Sequence, residues 1–171
     1  MHKMGRNGYV ALKLDLEKAY DRLEWPFIKE SLEFFHVPPN LITLIMNMIS
    51  STHFHIQWNG APLSEVIPSR EVHQGDPLSP YLFILCLERL SIMLEEVVRD
   101  RLIHPIGFRG QLCISHLFFV DDIFLFTKAK VRDCQNLSCI LRKFYQCSGQ
   151  IMSTHKSRIW LSPNTSWRTK E

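Results

Sequence analysis

After a short polar start, the chain runs Tyr9-Val10-Ala11-Leu12-Lys13-Leu14-Asp15, where Val10, Leu12 and Leu14 alternate with Ala11, Lys13 and Asp15. A period of two predicts a strand, with Asp15 ending it on the face opposite the leucines. Residues 16–23 read as a polar turn. Pro26 suits the first turn of a helix, where its missing N–H costs nothing. That helix is predicted to reach about Phe35, with Phe27, Ile28, Leu32 and Phe35 as its apolar stripe. His36-Val37-Pro38-Pro39 breaks it. Asn40 is placed to cap a second helix through about Ile49, turning Leu41, Leu44, Ile45, Met48 and Ile49 inward.

Phe54, Ile56 and Trp58 alternate up to Asn59-Gly60, which predicts a hairpin within 53–72. The turn-rich loop from His73 to Pro80 opens a long helix over about Ser79–Arg99. A loop with Gly110 leads to the apolar run Ile114–Phe126, broken only by Asp121-Asp122, so two strands hinged at those aspartates are predicted. Leu137, Ile140, Leu141 and Phe144 mark a helix over about 131–147, and Gly149 fits the left-handed position that ends it. A short hairpin is predicted around 150–161, then a disordered tail over 162–171. This order gives an α+β fold, helices on one face of a largely antiparallel sheet. No internal repeat and no second domain are seen.

A length of 171 residues allows one domain or part of a larger one. With 46% hydrophobic and 22% charged residues, wholesale disorder and low-complexity architectures are excluded. No run approaches the ~20 apolar residues of a membrane helix. Met1-His2-Lys3-Met4-Gly5-Arg6 lacks the apolar core of a secretory signal. The five cysteines are odd in number and form no C-x-x-C, so a reducing compartment is expected. Cys134, Cys139 and Cys147 read as core residues rather than metal ligands. The net charge of +3 conceals a split. Residues 1–127 carry 11 basic and 15 acidic side chains, whereas residues 128–171 carry 9 and 2. Such a split is one sign of a protein that holds cations in one place and polyanions in another.

The aspartates change the picture further. A carboxylate inside Leu117-Phe118-Phe119-Val120-Asp121-Asp122-Ile123-Phe124 is costly unless paired, metal-bound or at a wet turn. If the first strand lies beside this hairpin, Asp15 and Asp121 converge from 106 residues apart. Clustered carboxylates suit Mg²⁺, a hard ion that keeps several waters for substrate phosphates. Two such ions can clamp an in-line phosphoryl displacement.

Three segments in this order carry a resemblance: Lys13-Leu14-Asp15-Leu16-Glu17-Lys18-Ala19-Tyr20-Asp21, His73-Gln74-Gly75-Asp76-Pro77-Leu78-Ser79-Pro80, and Phe119-Val120-Asp121-Asp122. From about Gly8 to Leu161 the chain resembles the reverse transcriptase domain of non-LTR, LINE-type retrotransposons, most of all those of plants. The resemblance implies a polymerase palm over 1–161, with fingers only in part and no thumb. It implies an RNA-directed DNA polymerase working on RNA template, DNA primer and dNTP. Asp15, Asp121 and Asp122 would be catalytic and hold two Mg²⁺ ions, with Mn²⁺ as a substitute, helped by the Leu16 carbonyl. Tyr20 would sit under the incoming sugar and clash with a 2′-hydroxyl. Gln74 and Gly75 would pack on the nucleotide, and Lys156 would assist the leaving pyrophosphate. Asp21 and Asp76 read instead as caps or turn formers. No membrane partner is implied, and the nucleus or cytoplasm is the expected setting.

The sequence departs from the family pattern at His73, where the family has Arg, at Val120 and at Ile151-Met152-Ser153. A chain starting just before the first catalytic strand is expected to be inactive alone. The competing reading is therefore an inactive retroelement remnant, at most a nucleic-acid or metal-binding module. A third is an unrelated metal-dependent phosphotransferase.

Overall fold

The computed structural model describes residues 8–51, 54–59, 61–66, 72, 76–108 and 112–165. They form strands β1 (Tyr9–Leu14), β2 (Phe54–Trp58), β3 (Ala61–Val66), β4 (Ile106–Phe108), β5 (Leu112–Ile114), β6 (His116–Phe119), β7 (Asp122–Lys128) and β8 (Arg158–Leu161). The helices are α1 (Trp25–Phe34), α2 (Pro39–Ser50), α3 (Ser79–Arg99) and α4 (Val131–Ser148). The chain divides into two compact units. One comprises the chain up to Glu17, Glu88–Gln146 and the part from Gln150 on; the other comprises Lys18–Leu87 and Cys147–Gly149.

The first unit holds a four-stranded antiparallel sheet in the order β6-β7-β1-β8. Register places Val10 opposite Thr127, Leu12 opposite Leu125 and Leu14 opposite Ile123. Paired residues share a face, so these six line one side of the sheet. That side carries buried Val10, Leu14, Ile123, Leu125 and Thr127. From α4, Leu137 and Leu141 join Val10, Leu12, Leu14, Met152 and Ile159 around an apolar groove of about 260 Å³. Ser91 of α3 bonds His116 of β6 on the same side. The expected packing of helices on one face is therefore observed. The opposite face carries Lys13, Phe124, Phe119 and Trp160; Phe119 stays 76% exposed.

Several details differ from expectation. Residues 158–161 do not fold back as a hairpin; they pair with β1, Lys13 opposite Arg158 and Val10 opposite Leu161. Strand pairing depends on distant partners, which a local pattern does not encode. The loop near Gly110, itself outside the described residues, is flanked by the β4–β5 hairpin. The start of the expected tail is packed: Tyr9 N–H donates to Ser162 Oγ at 2.8 Å, and Thr165 is buried. A Cβ on Gly8 would collide with Thr165 Oγ1 and lie 2.6 Å from Thr165 Cα, so only glycine fits there. Cys139 and Cys147 are exposed and Cys134 is intermediate, because α4 buries Leu137, Ile140, Leu141 and Phe144 instead; Cys86 alone of the five is buried.

In the second unit, Pro26 occupies the start of α1 as predicted, and Phe27, Ile28, Ser31 and Leu32 are buried. Phe35 ends the helix as its C-cap. Pro38, not Asn40, precedes α2, which begins at Pro39 without a side-chain cap. Its buried residues are Ile42, Ile45 and Ile49, whereas Leu41, Leu44 and Met48 remain exposed. The predicted hairpin pairs Trp58 with Ala61, and Asn59 adopts φ 53° as such turns require; Gly60 lies outside the described residues.

Candidate active site

Asp15 directly follows β1, and its own backbone is held on both sides. Its N–H donates to Ser157 Oγ at 3.2 Å, and its carbonyl accepts from Ser153 N–H at 2.8 Å. The next residue, Leu16, forms an isolated antiparallel bridge with Met152. The bonds that close it run from Glu17 N–H to Ile151 O and from Ser153 N–H to Asp15 O. Neither uses the Leu16 carbonyl. Lys156 lies in the turn between Ser153 and Ser157, its Nζ 3.9 Å from Asp15 Oδ1. Lys156 is 72% exposed, so this pair contributes little to stability.

On the neighbouring strand pair, Phe119 faces Asp122, so the turn is Val120-Asp121 rather than Asp121-Asp122. Val120 takes φ 56°, rare for a β-branched residue. Asp121 is exposed at the turn. Asp122 is the first residue of β7, and its two carboxylate oxygens each lie 2.8 Å from Lys13 Nζ. The β1–β7 ladder ends at Leu14 and Ile123, one residue short of Asp15 and Asp122. Among the described residues, no three His, Cys, Asp or Glu side chains form a metal-binding group. Asp15, Asp121 and Asp122 carry carboxylate oxygens, and Leu16 a carbonyl. All are hard oxygens, a set that fits Mg²⁺, which is usually held by one or two carboxylates and retains waters.

In the other unit, the Tyr20 ring lies 4.8 Å from that of Phe83, and the Tyr20 carbonyl accepts from Val72 N–H at 3.1 Å. Gln74 and Gly75 lie outside the described residues. Asp76 caps the entry to α3, its Oδ1 accepting from Leu78 N–H at 2.8 Å, as the turn-forming reading anticipated. Lys13, Ser153 and Ser157 were missed by sequence reasoning. Lys13 was detectable as the one cation inside the first apolar strand; the serines give no local signal.

The chain matches the family model for reverse transcriptase (RNA-dependent DNA polymerase) over residues 1–170. It is 30% identical over 130 residues to the Pol polyprotein of the type-2 retrotransposable element R2DM of Drosophila melanogaster, covering 76% of this chain and 12% of that one. An uncharacterized mitochondrial protein of Arabidopsis thaliana is 45% identical over 73 residues, 41% of this chain and 60% of that one. The chain thus spans only a small part of the fly polyprotein. Among solved structures, apo telomerase of Candida tropicalis superposes with a TM-score of 0.67 at 18% identity, over 91% of this chain and 31% of that one. Telomerase of Candida albicans gives 0.66 at 18% identity, over 92% and 27%. These likenesses bear out the palm-type α+β fold. With the three motifs in order and the family match along almost the whole chain, this protein belongs to the reverse transcriptase family, as a domain of the non-LTR retrotransposon kind.

Proposed function

We propose that this chain carries the nucleotidyl-transfer centre of an RNA-directed DNA polymerase. The observation that supports it most is the register of β1 against β7. It ends at Leu14 and Ile123 and leaves Asp15 and Asp122 as the next residues of the two strands. Asp15, Asp121 and the Leu16 carbonyl would hold the divalent cations, Mg²⁺ by choice and Mn²⁺ as a substitute. When bound, such ions activate the attacking oxygen and stabilise the leaving one. The chain's own contribution is placement. Ser153 and Ser157 clamp the Asp15 backbone, so its carboxylate needs little reorganisation. Tyr20, its ring against Phe83, would face the sugar of the incoming dNTP. Gln74 and Gly75 would contact the nucleotide. Lys156, with its ammonium free to move near Asp15, would neutralise charge on departing pyrophosphate. An RNA template and a DNA primer complete the reaction: the primer 3′-hydroxyl attacks the α-phosphate and the bond to pyrophosphate breaks.

Primer extension on poly(rA)/oligo(dT) with Mg²⁺ tests this. Incorporation that is lost in Asp15→Asn and Asp121→Asn supports it. Absence of incorporation by the unaltered chain overturns it as an activity of this chain, in favour of a remnant that binds metal or nucleic acid without turnover.

A further inference from the structure

Resting on Asp15 and Asp121 as cation ligands, we propose that Lys13 is a positioning residue that sorts the two adjacent aspartates. It holds Asp122 as its ion-pair partner and leaves Asp121 to the cation. Neighbouring carboxylates at a turn compete for the same positive charge, and something must decide which one the ion receives. Register supplies the answer. Lys13 pairs with Phe124, two residues after Asp122, so Lys13 and Asp122 share a face of the sheet. The ammonium sits 2.8 Å from both Asp122 oxygens and so engages both ends of the carboxylate. The Phe124 ring lies 5.5 Å beneath the same ammonium, which restrains the lysine further.

Magnitudes favour a role in geometry over one in stability. Lys13 and Asp122 are 30% and 36% exposed, and ion pairs that accessible contribute little to folding. Close to a cation site the same pair matters more. It cancels one negative charge and occupies the lone pairs that Asp122 would otherwise present. Without Lys13, a third carboxylate would be released toward the ion.

Mn²⁺ binding to the full chain, followed by the EPR signal of the free ion, tests the idea. Lys13→Met keeps the stem on Phe124 and removes the charge. It should bind Mn²⁺ about tenfold more tightly, as a full charge a few ångströms away allows. Lys13→Arg should keep the original affinity, and adding Asp122→Asn to Lys13→Met should restore it. Unchanged or weaker binding by Lys13→Met, or Lys13→Arg behaving like Lys13→Met, overturns the proposal. A metal-free arm follows reductive methylation of Lys13 by mass spectrometry. Asp122→Asn should speed it and Asp121→Asn should not; equal effects also overturn the proposal. If Mn²⁺ binding ignores both Asp15→Asn and Asp121→Asn, the cation reading itself fails and the sorting role with it. The methylation arm then reports separately whether the ion pair exists.

Discussion

Leu14 and Ile123 face each other as the last pair of the β1–β7 ladder, and neither keeps any solvent exposure. They lock the ends of the two strands together immediately before Asp15 and after Asp122. Leu14→Ala removes buried methyl groups and should destabilise the protein by about 2–5 kcal/mol, seen as a lower urea midpoint. Ile123→Val should cost only about 0.5–1.5 kcal/mol. If the pair also aligns the carboxylates, Leu14→Ala should lower primer extension at temperatures where the chain is still folded. Activity that tracks the folded fraction alone would remove that alignment role.

Tyr20 offers a test of substrate choice. Its ring rests on Phe83, so shortening it leaves a gap beside α3. Tyr20→Ala should admit ribonucleotides and reduce the preference for dNTP about tenfold or more, the scale of discrimination a single steric contact supplies. Tyr20→Phe keeps the ring and should keep the preference. Competition between dTTP and UTP in primer extension measures both. A preference equally low in the two variants would point to the hydroxyl rather than the ring.

The pH dependence of stability should carry the mark of His116. Its Nε2 lies 2.9 Å from Ser91 Oγ and its Nδ1 2.9 Å from Ser115 Oγ, so the neutral ring has a partner at each nitrogen. Burial lowers its pKa below 6.5, and Glu95 and Glu88 oppose the shift without cancelling it. The unfolded chain therefore binds this proton more readily than the folded one. Stability is fully present above about pH 6.5 and falls as pH drops through the lower folded value. Urea midpoints at pH 7.5 and 5.5 should differ in the unaltered protein and differ less in His116→Gln. An equal loss in both would assign the pH dependence to other groups.

Where a pattern had one solution, the sequence was readable. The alternation from Tyr9 to Asp15 located the first carboxylate, and α3 starts and ends where its apolar period does, at Ser79 and Arg99. In α2, Leu41, Ile42, Leu44, Ile45, Met46, Met48 and Ile49 are all apolar. So many apolar positions define a helix but not its phase, and the buried side proved to be Ile42, Ile45 and Ile49. The turn at Val120-Asp121 was misplaced by one residue because valine gives no hint of a positive φ. At the site, the carboxylates were visible as costly residues in apolar strands. Their supports were not: Lys13 reaches Asp122 across 109 positions and Ser157 reaches Asp15 across 142. Such contacts follow from strand order, which no short window specifies.

Asp133 is a buried anchor in the first turn of α4. Its Oδ2 accepts from His104 N–H at 3.1 Å and lies 3.0 Å from His104 Nδ1 and 3.3 Å from Thr127 Oγ1. It thus ties the segment after α3 to the end of β7. Asp133→Ala strands these groups and should cost about 3 kcal/mol. Thr127→Val should cost less, since the Asp133 carboxylate keeps both His104 partners and the His104 carbonyl keeps Lys128 N–H at 3.0 Å. Chemical denaturation of both single variants and the double variant checks this. Fully additive effects would show that Thr127 and Asp133 do not share the bond.

Gly149 follows α4 with φ 75°, the left-handed conformation that ends many helices. Conformation is only part of its constraint. A Cβ there would lie 2.5 Å from the Arg22 carbonyl oxygen and 2.6 Å from Glu24 Cγ. The first obstacle is backbone and cannot rotate away. The same turn is tied by Glu24 N–H donating to the Ser148 carbonyl at 3.1 Å, so relieving the clash would strain that bond. Gly149→Ala should therefore cost more than the about 1–2 kcal/mol of a left-handed non-glycine residue alone. Gly149→Asn separates the two contributions, because asparagine tolerates positive φ but carries the same Cβ. Urea midpoints should fall by similar amounts in both variants, with exposed Gln146→Ala as the control on the same helix. Recovery of most of the stability by asparagine would mean that conformation, not the Arg22 carbonyl, selects glycine here.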